Sequence, residues 1–240
     1  GMSVDFKKYQ LKIGNEVIDR IGSECKEKYF KFVGHRLDEF LTWQYHINHV
    51  QGKLSSGNYA ISQSKNFLPL QIRKTLYNSL CRPHMDFGII ARGGTNSTKL
   101  KKIAQLQKKC VRNVGGMGYR SHTDPLFSRL NIMKFEDLFT YNCCTFMHKI
   151  LNKKAPPSFK NTFIPLTIPN RTNSFQTEKE KNKFLSQFPT YFLPKIWNSR
   201  PLDLKLTNSH NSFKTTLEEN LISMYSTHIK CKSASCPDCR

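Results

Sequence analysis

The chain has 240 residues, 38% of them hydrophobic and 12% aromatic, enough apolar material for a sizeable core and too much for a disordered tail. Against 17 Asp and Glu stand 38 Lys and Arg, a formal net charge of +21. A surplus that large points to a polyanionic partner, a phosphate backbone ahead of an anionic membrane surface or no partner at all.

No apolar run approaches the roughly 20 residues of a membrane span, and the N-terminus lacks the basic-then-apolar pattern of a signal peptide. Gly1 ahead of Met2 reads as a scar or a cut end. Eight cysteines without a signal peptide predict reduced thiols in an intracellular compartment. Five of them (Cys25, Cys81, Cys110, Cys143 and Cys144) lie in mixed segments and read as small core residues.

In chain order, residues 11 to 37 predict short strands. Leu11, Ile13, Val17 and Ile18 flank a Gly14-Asn15 turn, and Tyr29, Phe30, Phe32, Val33 and Leu37 surround Gly34. From Leu41 the period becomes helical. Thr42 is placed to cap a helix carrying Tyr45, Val50, Leu54 and Ile61, with Gly52 and Gly57 weakening its middle. Pro69 starts a second helix, with Ile72, Leu76, Tyr77 and Leu80 as its stripe, ending at Pro83. Asn96 or Ser97 opens a third, whose stripe is Leu100, Ile103, Leu106, Cys110 and Val114, closed by Gly115-Gly116. Asp124-Pro125 reads as an N-cap with proline following, and an apolar helix is predicted from about Phe135 to Leu151. Residues 152 to 187 read as a long loop or partly ordered connector. A last helix is predicted from Ser212 to Tyr225, with Phe213, Leu217, Leu221 and Met224 on one face. The predicted fold class is therefore mainly α: a helical bundle with a short N-terminal β hairpin and an α-rich C-terminal part.

Between Phe40 and Thr123 there are 13 Lys or Arg and one acid, Asp86. The third helix concentrates them as Lys99, Lys101, Lys102, Lys108, Lys109 and Arg112, with no Glu at helical spacing to offset the repulsion. These six, with Arg73 and Lys74 on the second helix, are the candidate phosphate contacts. Trp43, Tyr45, Tyr59 and Tyr77 are able to stack on bases, but each falls near an apolar stripe, and core packing is the preferred reading.

Catalytic chemistry is poorly represented. No Asp-Asp pair, phosphate-binding GxxxxGK[ST] loop, GxSxG elbow or HExxH helix occurs, whereas two-metal nucleotidyl transfer needs converging acidic ligands. His46 and His49, three apart, lack a neighbouring acid or thiol and read as non-ligands. The tail His228, Cys231, Cys236 and Cys239 has the donor set of a tetrahedral zinc site. Its spacing matches no standard finger, so zinc and a free cysteine tail both stay open.

Five segments in order, "KYFKFVGHRLDEFLTWQYHINHV", "FLPLQIRKTLYNSLCRPHMDFGII", "LKKIAQLQKKCVRNVGG", "SHTDPLFSRLNIMKFEDLF" and "IWNSRPLDLK", resemble the C-terminal third of non-LTR (LINE, jockey-like) retrotransposon reverse transcriptases. The resemblance implies a palm remnant over 1–40 with a primer-grip segment around Phe32-Val33-Gly34. It implies a thumb over 41–122 and an α-rich C-terminal domain over 123–240 containing the Trp197 to Pro201 signature. The family's acidic Tyr/Phe-x-Asp-Asp motif would lie upstream of residue 1, so no catalytic residue is carried over. RNA-directed DNA polymerase activity and its magnesium are implied for a parent protein, and this chain alone is expected to be inactive. Two departures stand out: Arg92 where an aromatic Trp is usual, and His35-Arg36 after Gly34. They fit a decayed copy, a domesticated fragment or lineage drift. The implied partners are RNA, DNA or an RNA–DNA duplex, with the upstream palm, in nucleus and cytoplasm. The alternatives are a domesticated nucleic-acid-binding protein with no polymerase partner, and a metal-dependent nuclease built on the tail.

Overall fold

The computed structural model describes residues 12–18, 21–22, 25–95, 97–159, 161–166, 173–177 and 185–227. The fold is mainly α, with two separate antiparallel hairpins near the N-terminus where one was expected. The chain divides into two compact units, Gly1–His46 and Ile47–Arg240. The His228 to Cys239 tail lies outside the described residues.

In the first unit β1 (Lys12–Ile13) pairs with β2 (Glu16–Val17) through the predicted Gly14-Asn15 turn. β3 (Phe30–Phe32) pairs with β4 (His35–Leu37), Phe30 opposite Leu37 and Phe32 opposite His35. Both residues of the second turn have positive φ, +44° at Val33 and +81° at Gly34. That is the backbone a two-residue hairpin favours, but Asn usually holds its first position, and a β-branched Val there is strained. The His35-Arg36 departure acquires a local use. His35 packs edge-on to Trp43 at 5.8 Å and against His46 at 4.9 Å, and the Arg36 guanidinium lies 5.2 Å from the Tyr29 ring. His46 is thus a buried member of an aromatic cluster. Thr42, predicted as a cap, donates its hydroxyl to Asp38 at 3.1 Å and accepts a long 3.4 Å bond from the Gln44 amide.

The remaining helices are α1 (Gln44–Ser64), α2 (Leu70–Leu80), α3 (Arg82–Asp86), α4 (Ile89–Gly93), α5 (Ser97–Gly115), α6 (Asp124–Leu130), α7 (Phe135–Leu151), α8 (Pro189–Asn198), α9 (Leu202–Lys205) and α10 (His210–Thr227). The α7 boundaries agree with the sequence expectation because an apolar face, an acidic first turn and a basic last turn all mark the same segment. On α2 the expected stripe holds at Tyr77 but not at its other positions. Tyr77 is buried together with Arg73, while Ile72 and Leu80 are exposed, because α2 packs through the face one residue further round. Pro83 does not end the helical stretch either; it sits in the first turn of α3, where its missing N–H is harmless. Thr123, not Asp124, is the residue ahead of α6. Met224 on α10 is exposed, and Ile222 and Tyr225 are buried instead.

The core gathers Ile47, Leu54 and Ile61 of α1 with Ile103, Val111 and Val114 of α5, and Phe127, Met147, Trp197 and Phe213 from later helices. Gly57 is a packing requirement and no mere weak point: a Cβ there would lie 2.8 Å from the Cys81 sulfur and 3.2 Å from the Leu80 carbonyl oxygen. Gly52, by contrast, faces open space. The core also holds one polar hub. The Gln107 amide nitrogen donates to the Tyr77 hydroxyl at 2.9 Å and to the Met133 carbonyl at 2.8 Å, and its oxygen accepts from the Phe135 amide at 2.8 Å. One side chain therefore ties α2 and the start of α7 to α5, each of its bonds contributing more than it would in water.

The connector is better ordered than its composition suggests where it is described. Leu166 N–H donates to the Ser174 carbonyl at 2.8 Å and Gln176 N–H to the Ile164 carbonyl at 2.9 Å, forming a bridge between Pro165 and Phe175. Asn198 locks this piece onto α8. Its side-chain oxygen accepts from the Phe175 amide at 3.0 Å, and its nitrogen donates to the Phe175 carbonyl at 2.7 Å. Beside it the Trp197 indole N–H donates to the Asn173 carbonyl at 2.7 Å. The Trp-Asn pair of the signature segment is in this way a structural clasp.

A histidine pair closes the packing of α7 against α10. The buried His148 donates from Nε2 to the Thr207 carbonyl at 2.8 Å, which leaves Nδ1 as the acceptor facing His210 Nδ1 at 3.2 Å. A proton on His148 Nδ1 would set two donors against each other. Burial lowers both imidazoles below their ordinary value of 6.5; Lys154 adds to this at His148, and Lys214, Lys149 and Lys154 add to it at His210. Well above pH 6.5 both are neutral folded or unfolded, and they contribute no pH dependence. As pH falls below that value the unfolded chain takes up protons that the fold excludes, so stability drops. The melting temperature should therefore fall by several degrees between pH 7.5 and 5.5, and His210→Gln should flatten that fall. An equally steep fall in the variant would show that the pair is not its source.

Candidate nucleic-acid interface

α5 folds as a helix because straight-chain Lys, Gln and Leu dominate it and its apolar residues recur on one face. Ile103, Ala104, Gln107, Cys110, Val111 and Val114 are buried, while Lys101, Lys102, Lys108 and Lys109 are exposed. At about 100° per residue these four lysines and Arg112 fall within about a third of the helix circumference, opposite the buried face. Lys99 lies on the flank and is half-buried. α5 contains no carboxylate, and the four exposed lysines make no ion pair among the described residues. Arg112 follows Lys108 and Lys109 at helical spacing, so like charges are neighbours, each pair unfavourable by about 0.2–0.5 kcal/mol in isolation.

The other sequence candidates are placed differently. Arg73 is 9% exposed. Its Nη1 donates to the Asn113 carbonyl at 3.2 Å, and the same atom lies 3.2 Å from where a Cβ on Gly116 would sit. Arg112 is half-buried, its Nε donating to the Ser121 carbonyl at 2.8 Å. Arg129 also reaches the end of α5, 3.5 Å from a Cβ built on Gly115. These guanidinium groups collect where the helix dipole is negative and the last carbonyls lack helical partners. They offset the end of α5 that would otherwise repel phosphate. Lys74, next to Arg73 on α2, is half-buried.

Arg92 belongs to the same pattern. It is fully buried, and its guanidinium donates to the His84 carbonyl at 3.2 Å and to the Met85 carbonyl. It thereby caps α3 from inside the core, serving two carbonyls at once where a Trp indole has a single N–H to donate. Burial lowers it to about 10, an effect that Asp86 opposes. Lys205, 6% exposed, donates to the Asn198 carbonyl at the end of α8 at 3.0 Å. The charge tally missed all of this: several basic residues are spent on helix ends inside the fold, and only local packing separates them from the outward lysines.

Of the aromatic residues considered for base stacking, Tyr77 is buried, Trp43 and Tyr45 are half-buried and Tyr59 is 66% exposed. Tyr59 is therefore not a core residue as expected. Among the described residues no three His, Cys, Asp or Glu side chains converge to hold a metal ion. Also among the described residues, no helix is long and apolar enough to cross a membrane.

The chain is 28% identical over 112 residues to the RNA-directed DNA polymerase from mobile element jockey of Drosophila melanogaster. That similarity relates it to a retrotransposon reverse transcriptase. It covers 45% of this chain and 12% of the length of the jockey polymerase. No family model and no solved structure matches the chain.

Proposed function

We propose that this chain is the nucleic-acid-gripping part of a retrotransposon RNA-directed DNA polymerase, a thumb and C-terminal domain that hold template–primer for catalytic residues located elsewhere. One observation carries the reading. Lys101, Lys102, Lys108 and Lys109 form an exposed cationic face with no carboxylate on the same helix, and the negative end of that helix is neutralised by buried arginine. Phosphates are the ligands that relieve such a face, and they are recognised without regard to base sequence. The similarity to the jockey polymerase supports the parentage.

The test is binding of the full chain to RNA–DNA hybrids of unrelated sequence over a range of salt. Four phosphate contacts predict equal affinities and a slope of log K against log salt of about −3.6, at about −0.9 per contact on a duplex. A slope shallower than about −1, or no binding at all, would overturn the proposal.

A further inference from the structure

Directly after α5 the chain makes a turn that places a large aromatic side chain in water. Gly116 takes φ +69°, reversing the chain. Met117 N–H then donates to the Arg112 carbonyl at 2.9 Å, and Ser121 N–H to the Gly118 carbonyl at 3.2 Å. Ser121 is 6% exposed, and its carbonyl accepts from Arg112 Nε at 2.8 Å. Both ends of the segment are therefore fixed to Arg112 in the last turn of α5, one through its carbonyl and the other through its side chain, which belongs to the basic face itself. The tip is Tyr119-Arg120. Tyr119 is 76% exposed, and Arg120 is exposed beside it. An aromatic ring left in water on a pinned turn, next to a guanidinium and at the end of a row of lysines, has the makings of a stacking platform: a π-face for a base and cations for its phosphates.

We infer that Tyr119 stacks on an unpaired base where a bound nucleic acid leaves the duplex at the end of α5, with Arg120 on the adjoining phosphate. The ligand class is thus a duplex carrying a single-stranded extension. The inference rests on the proposed grip, and it assigns a residue outside the basic helix. The pinned turn matters because a base stacks best on a ring whose backbone is already ordered, with less conformational entropy left to lose.

The test compares two probes on the full chain: a blunt RNA–DNA hybrid, and the same hybrid with a short single-stranded extension carrying 2-aminopurine. The parent protein should bind the extended probe more tightly and quench the 2-aminopurine. Tyr119→Ala should weaken binding of the extended probe by about 5-fold or more, as expected for one lost base–aromatic contact. It should also abolish the quenching while leaving the blunt probe and the salt slope unchanged. Tyr119→Phe should keep both. Because the ring is solvent-exposed, the melting temperature should not move. Tyr59→Ala, on an exposed aromatic of α1, serves as the control and should change nothing. An unaltered extended-probe affinity in Tyr119→Ala, or an equal loss in Tyr59→Ala, overturns the inference and leaves the grip standing. Failure of the parent to bind either probe overturns the grip and the inference together.

Discussion

Trp197→Ala should lower the melting temperature of the protein by about 6–20 °C, corresponding to about 3–5 kcal/mol for a buried Trp and about 2–4 °C per kcal/mol at this size. The indole is fully buried, 5.8 Å from the Phe213 ring and 6.4 Å from His148. Its removal opens a cavity between α7, α8 and α10, and the surrounding helices relax only in part. A second cost comes from the Asn173 carbonyl, which loses the indole N–H at 2.7 Å and has to find water. Trp197→Phe separates the two contributions. It keeps most of the volume and loses the hydrogen bond, so its destabilisation should be smaller, at about 1–3 kcal/mol for the orphaned acceptor plus the residual void. Calorimetric or circular dichroism melting reads both variants. A shift of under about 2 °C in Trp197→Ala would mean that the clasp on α8 contributes little to stability.

Replacing Lys101, Lys108 and Lys109 together with Gln should flatten the salt dependence of hybrid binding by up to about 2.7 units of slope, about 0.9 for each lost phosphate contact. Affinity at low salt should fall by a similar factor on every sequence, since the lost contacts read no base edges. The three lysines are exposed, and Gln has a helix propensity close to that of Lys, so α5 should stay folded. Arg112 is left in place because its Nε holds the Ser121 carbonyl, and changing it would mix loss of charge with loss of the turn. Equilibrium titration at four or five salt concentrations measures the effect. A folded triple variant with the parent's affinity and slope would make the lysines an ordinary solvated surface and remove the physical support for the grip.

Much of the helical framework was legible because several local signals agreed. For α5, apolar spacing, lysine on the opposite face and a closing Gly115-Gly116 all mark one segment, and the helix runs Ser97–Gly115. The first hairpin was legible from Gly14-Asn15 alone, since a turn needing positive φ favours those residues. The α2 stripe was legible at Tyr77 alone. Ile72, Leu76 and Leu80 are the more apolar members, yet Tyr77 faces inward together with Arg73, because each has a polar end that meets a partner there. The Tyr77 hydroxyl accepts from Gln107, and Arg73 donates to the Asn113 carbonyl. No property of residues 70–80 alone announces those partners, which lie 30 and 40 positions away.

The outward lysines of α5 were readable in the same way, since helical spacing puts them opposite an apolar stripe. Tyr119 was missed because a lone Tyr between Gly and Arg carries no periodicity, and only the hydrogen bonds pinning its turn to Arg112 give it a place.

From the sequence by itself came the basic surplus, the mainly helical fold and the face of α5 that turns to solvent. These follow from composition and from a period of 3.6 residues, both local properties. The tertiary structure alone decided which cations are surface and which are structure. Arg73, Arg92 and Lys205 look in one dimension like any other contributor to a net charge of +21. In three dimensions each donates to backbone carbonyls at the end of a helix, at Asn113, at His84 and Met85, and at Asn198. A buried helix end leaves carbonyls without partners, and an unmet buried acceptor costs about 1–3 kcal/mol. A long cationic side chain from a neighbouring helix meets that need, and which chain arrives is fixed by how the helices pack, 40 positions apart for Arg73 but only 7 or 8 for Lys205 and Arg92.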